Sequence, residues 1–180
     1  MNRYVFSTKD TVRYRLPTHT NDLVMDRAEA ETSEAFVVTL ETGEATPLHV
    51  HHDTEQVFYV LEGVGVVQIG EAPEYYPVNP GDLVRIPPHT FHKIAYTGPQ
   101  RLRYLCVDAF MGGRPKDEPT WDSHMRVVCE MNGWDFGRVR LEKSDLCKGR
   151  RWGPTVDTVV SGLGTGSLPR SEMGRMEVHT

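Results

Sequence analysis

Between residues 36 and 107 every apolar stretch of this chain is cut short after four to six residues by a glycine, a proline or a polar turn. The stretches are 36–40, 48–52, 57–61, 64–69, 83–86, 92–96 and 102–107, all rich in β-branched and aromatic residues. Between them fall Gly43, Gly63, the polar run 70–80, a turn from Asn79 to Asp82, the pair Pro87 and Pro88, and 97–99. Glycine and proline supply the dihedrals that tight corners need. Many short strands punctuated in this way predict an all-β fold, an antiparallel sandwich or barrel.

The flanks read differently. Residues 1–34 hold a β-like piece at 12–16 and a polar turn from Pro17 to Asp22, the pattern of an N-terminal arm with one or two edge strands. The barrel is expected over 35–108, with a C-terminal helical and irregular extension, 109–180, packed on it. Thr120 or Asp122 can cap a helix that stops near Asn132 and Gly133, with Met125, Val128 and Cys129 on one face. Beyond it a strand is read at 156–160. The glycine-rich run 161–167 is read as a tail rather than a phosphate loop, because neither an amphipathic helix nor a suitably placed lysine follows.

A length of 180 residues suits one domain with a proper core. The formal charge of −5 comes without a basic stripe, so nucleic acid is not an expected partner. No apolar run is long enough to span a bilayer, and none follows Met1 as a secretory leader would, so no membrane partner is expected. Cys106, Cys129 and Cys147 are scattered and odd in number. That fits neither a disulfide framework nor a cysteine zinc site, and the expected setting is the reducing cytoplasm.

The chemistry-bearing residues cluster in two of the strand-and-corner segments. His49 and His51 lie two apart, so on an extended backbone both rings leave one face. His92 follows Gly81 and Pro87 in the second segment. Three neutral imidazoles with an added oxygen donor are what a first-row divalent metal takes.

These segments resemble the two motifs of the cupin family. Gly43, His49, His51, a residue at 55 or 56, and Gly63 match the first; Gly81, Pro87 and His92 match the second. The resemblance covers about residues 35–108. It implies a double-stranded β-helix, or jelly-roll barrel, holding one divalent transition metal: Mn, Fe, Ni or Zn. His89 stands where glycine is usual and Tyr96 where asparagine is usual, and histidine tolerates the left-handed backbone that such a turn needs. Counting back six residues from Gly63, where the family carries its acidic ligand, lands on Gln56 rather than Glu55. Strand alternation puts these two on opposite faces, so only one looks inward. Gln56, Phe58 and Val60 form the preferred inward set, with Glu55 as the alternative ligand.

The choice has chemical content. Three imidazoles and a carboxamide leave the ion's dipositive charge uncompensated, which favours Lewis-acid chemistry on a small oxygen-bearing molecule: isomerase, cyclase or lyase type. A carboxylate from Glu55 would suit a dioxygenase. A barrel that binds a sugar or other metabolite without turning it over is a third expectation. His52, Asp53, Tyr59, His89 and Tyr96 are near the motifs, but none is assigned as acid or base. Phe36, Val38, Phe58, Ile94 and Tyr104 are read as lining. Arg85 and Arg103 would clamp a carboxylate if inward, though solvated charge is the commoner role. The edge strands need covering, by the arm or by a homodimer partner.

Overall fold

The computed structural model describes residues 3–9 and 11–141. All of these fall within one compact unit, Met1–Leu146. The strand read at 156–160 and the glycine-rich run 161–167 lie outside the described residues. Ten strands run β1 (Val12–Arg15), β2 (Thr20–Met25), β3 (Ser33–Leu40), β4 (Thr54–Glu62), β5 (Gly65–Ile69), β6 (Glu74–Val78), β7 (Leu83–Ile86), β8 (His92–Tyr96), β9 (Leu102–Phe110) and β10 (Arg140–Leu141). Helices α1 (Trp121–Asn132) and α2 (Phe136–Val139) precede β10. The strands form a seven-stranded sheet, β10-β1-β2-β3-β9-β4-β7, and a three-stranded one, β6-β5-β8, among the described residues. All the strand pairs are antiparallel.

The period of two is clearest on the two nine-residue strands. On β4, Thr54, Gln56, Phe58 and Val60 are buried while Tyr59 and Leu61 are exposed. On β9, Leu102, Tyr104, Cys106, Asp108 and Phe110 alternate in the same sense. Register sets Phe36, Cys106 and Phe58 side by side across β3, β9 and β4, and one residue pair further along sets Glu34, Asp108 and Gln56 side by side. The inward face is therefore apolar at one level and polar at the next.

The flanks complete the barrel. β1 and β2 extend the larger sheet rather than capping it, and residues 20–22, read as part of a turn, belong to β2. Helix α1 is capped by Thr120, whose hydroxyl accepts from the Ser123 N–H, and ends at Gly133 in the left-handed conformation. Its buried residues Trp121, Met125 and Cys129 join the barrel core. Two further expectations need correction. Residues 74–78, read as turn, form the edge strand β6; four of the five are exposed, so no inward alternation marks them, and an edge strand tolerates Pro77. Residues 48–52, read as a strand, make only isolated bridges, because Pro47 has no N–H to give the ladder.

Candidate metal centre

Those isolated bridges bring the imidazoles together. His49 lies directly opposite His92 of β8, each backbone N–H donating to the other's carbonyl at 3.1 and 2.9 Å. The His51 carbonyl then accepts from the His89 N–H at 2.7 Å, where His89 turns the chain with φ 61°. His89 is the non-glycine residue with a left-handed backbone among the described residues, as its place in a glycine position suggested. Side-chain alternation puts His51 on the same side as His49. The three ring centroids lie 4.2 to 5.7 Å apart. One nitrogen from each ring lies within 4.8 Å of the others, a group that could hold a metal ion.

Hydrogen bonds fix which nitrogens face inward. Nδ1 of His49 is 2.8 Å from the Pro47 carbonyl, and Nδ1 of His92 is 3.0 Å from the Thr90 carbonyl. A carbonyl can only accept, so both Nδ1 atoms carry the proton and both Nε2 atoms keep a lone pair. Nε2 of His51 is buried with no hydrogen-bond partner among the described residues. A buried unpaired polar nitrogen is costly, and a cation among the three rings would satisfy its lone pair. Burial also holds the rings neutral: it lowers His51 to about 3 and His92 to about 4, and it lowers His49 as well. Neutral imidazole is the ligand form. The residues present fit a divalent ion.

Gln56 faces this cluster, and Glu55 does not. Gln56 is buried, its Nε2 donating to Asp108 Oδ1 at 2.8 Å and its Oε1 standing 2.8 Å from His92 Nε2. With the amide oriented by Asp108, two lone pairs converge there. Glu55 leaves the opposite face of β4 and pairs with Arg85, itself mostly exposed. Arg103 pairs with Glu62 at 3.5 Å on the outer surface, so neither arginine enters the cavity. His52 and His89 meet each other through their Nδ1 atoms at 3.1 Å, outside the triad.

The support for Gln56 runs across the sheet. Arg27 is buried and grips Glu34 with two bonds of 2.6 and 2.7 Å. Burial raises the carboxyls of both Glu34, to about 7, and the facing Asp108. Arg27 lies against this pair and offsets part of its charge.

The sequence profile described as the cupin domain matches residues 36–108, the segment that carries every one of these ligand candidates. The chain belongs to the cupin family. It is 35% identical over 101 residues to the uncharacterized protein MJ1618 of Methanocaldococcus jannaschii, covering 56% of this chain and 75% of that one. It is 29% identical over 102 residues to the acireductone dioxygenase of Saccharomyces cerevisiae, covering 54% of this chain and 49% of that relative, about half its length. Among solved structures, the polyketide cyclase RemF from Streptomyces resistomycificus superposes with a TM-score of 0.54 at 23% identity, covering 64% of this chain and 83% of that one. That likeness is one of fold.

In this cupin the cavity around the triad measures about 160 Å³. Phe36, Val38, Phe58, Ile94 and Tyr104 line it, as their inward spacing indicated. So do residues outside the family match, His19, Asn21, Trp121 and His124 among them. Sequence reasoning missed these four. His124 alone left a trace, since it shares the inward face of α1 with Trp121 and Val128 at helical spacing. No helix among the described residues is long and apolar enough to cross a membrane.

Proposed function

We propose that this cupin holds one divalent transition-metal ion through Nε2 of His49, His51 and His92 and Oε1 of Gln56. It uses the ion for non-redox chemistry on a small oxygen-bearing organic molecule, of the isomerase, cyclase or lyase type. The observation that carries the reading is the inward carboxamide: four neutral donors surround the site, and the nearest carboxylate of β4 points away. When bound, such an ion supplies a Lewis acid whose full charge acts on a ligand oxygen. The chain's own part is to hold the rings neutral, aim their lone pairs, and wall the cavity with Phe36, Phe58 and Tyr104 so that water is displaced by the ligand.

The test is metal analysis of protein loaded with zinc or manganese. One ion per chain is expected, falling to none in His49→Ala and His92→Ala proteins that keep the wild-type circular dichroism. Wild-type protein that takes up no ion, or variants that bind as well as wild type, would defeat the reading. A second reading, dioxygen chemistry at the same residues, draws on the similarity to the acireductone dioxygenase. Substrate-dependent oxygen uptake would favour it over the first.

A further inference from the structure

The cavity has a second chemical group, and it comes from outside the barrel. His124, in the first turns of α1, lines the same cavity as the triad. Its Nδ1 lies 2.5 Å from Glu118 Oε2. Glu118 is fixed in turn by Arg27, whose Nη1 donates to the Glu118 carbonyl at 3.2 Å and stands 3.5 Å from its carboxylate. Arg27 is itself buried and locked by Glu34. The bond from His124 lowers the Glu118 carboxyl below its ordinary range, so Glu118 is ionised and accepts while Nδ1 donates. The lone pair of His124 then sits on Nε2, which has no hydrogen-bond partner among the described residues. His124 and the three imidazoles thus line one cavity.

Two more groups in the cavity lack partners. Asn21 Oδ1 and Trp121 Nε1–H are both buried and unpaired, one an acceptor and one a donor. A ligand hydroxyl offers the complement of each.

We propose that His124 is the proton-transferring residue of the cavity, positioned by Glu118 and Arg27, and that its substrate is a small hydroxycarbonyl compound. This rests on the metal reading above. Nε2 of His124 takes a proton from the carbon beside the carbonyl. The C–H bond breaks, an N–H bond forms, and the electron pair moves into a carbon–carbon double bond with the negative charge on oxygen. Glu118 stabilises the imidazolium through Nδ1–H. The hydroxyl proton of the deprotonated carbon passes to the charged oxygen, and the proton on Nε2 is returned to the former carbonyl carbon as a carbonyl forms at its neighbour, so the product is an isomer and no oxidant, reductant or water is consumed.

The test uses the full chain loaded with zinc in deuterium oxide, with hydroxyacetone, dihydroxyacetone and glyceraldehyde as probes. Loss of their C–H proton signals is followed by NMR against a zinc-only control. Wild-type protein is expected to exchange at least one probe above control. His124→Asn, whose amide still donates to Glu118, should keep one zinc per chain and lose about 10²–10⁴-fold in exchange rate. Glu118→Gln should lose roughly 10–100-fold. Without metal, imidazole nitrogen spectra should show His124 protonated on Nδ1, with that form lost in Glu118→Gln. Exchange by His124→Asn at the wild-type rate, zinc-loaded wild type that exchanges no probe, or a proton on Nε2 in the metal-free protein would each overturn the assignment while leaving the metal reading intact. Wild type that binds no zinc would overturn both.

Discussion

Replacing Gln56 with glutamate is the sharpest probe of the buried polar row. The amide N–H now donates to Asp108 at 2.8 Å, and Asp108 faces Glu34 across the neighbouring strands. In Gln56→Glu a third carboxyl joins two that burial already raises, and one buried donor is lost. Below about pH 4 the new carboxylic acid is neutral, and its O–H replaces the amide as donor, so the metal-free variant should be nearly as stable as wild type. The folded state holds that proton more tightly than the unfolded chain, whose glutamate titrates near 4.3. The new group's folded pKa is thus raised, so its stability contribution is complete below the unfolded value and is lost as pH climbs towards the folded one. A buried carboxyl is raised by up to about 3–5 units and each unit is worth about 1.4 kcal/mol, so the deficit at pH 8 should reach roughly 3–5 kcal/mol. That is a large share of the usual 5–15 kcal/mol or so of a domain's stability. Urea denaturation of both metal-free proteins at pH 4, 6 and 8 measures it. A deficit that stays the same from pH 4 to pH 8 would refute the account of Gln56 as the neutral end of a buried acidic row.

Two further outcomes follow from the same structure. Burial lowers His19 to about 4, His51 to about 3 and His92 to about 4, so each contributes stability that is present above pH 6.5 and lost as pH falls through those values. Glu34, raised to about 7, acts in the opposite sense and loses its contribution as pH rises from 4.5. Three imidazoles outweigh one carboxyl, so near pH 5 the metal-free protein should gain at most roughly 3 kcal/mol per unit of rising pH, less where cavity water reaches the rings; denaturation curves flat between pH 5 and 6.5 would contradict it. At Gly63, φ is 78° and an added Cβ would stand 2.2 Å from the Arg101 carbonyl oxygen, whereas at Gly43, φ is 82° with nothing within 4 Å. Gly63→Ala should therefore lose more than about 3 kcal/mol by thermal unfolding and Gly43→Ala only about 1–2, and equal losses would discount the close approach.

Much of the barrel was legible because its long strands obey one rule. The alternation of Gln56, Phe58 and Val60 against Glu55, Val57 and Tyr59 settles the inward face of β4 without any partner strand. Where that rule is silent the reading failed. The segment carrying β6 has no buried face to alternate, and its proline and glutamate belong equally to a turn or an edge. The end of the chain around α2 and β10 is too short to show a period; β10 exists because Arg140 and Leu141 find β1, a pairing of residues far apart in sequence.

The candidate site divides along the same line. The three imidazoles could be grouped from spacing and residue type, since each lies on a short segment whose geometry is local, and the family resemblance with strand alternation narrowed the fourth donor to Gln56 or Glu55. What surrounds them could not. Asp108 reaches Gln56, and Glu34 faces Asp108, only through the register of three strands, and His124, paired locally with Glu118, lines the cavity only because α1 packs back on the barrel. That surrounding network bears on the chemistry proposed for the site. Arg27 offsets part of the charge of the Glu34–Asp108 pair, and Gln56 passes on no charge of its own. An ion held by the triad would then meet neutral donors, with no carboxylate among them. The chain keeps carboxylate off the ligand face by turning Glu55 outward to Arg85 and by setting the Gln56 amide between the imidazoles and Asp108.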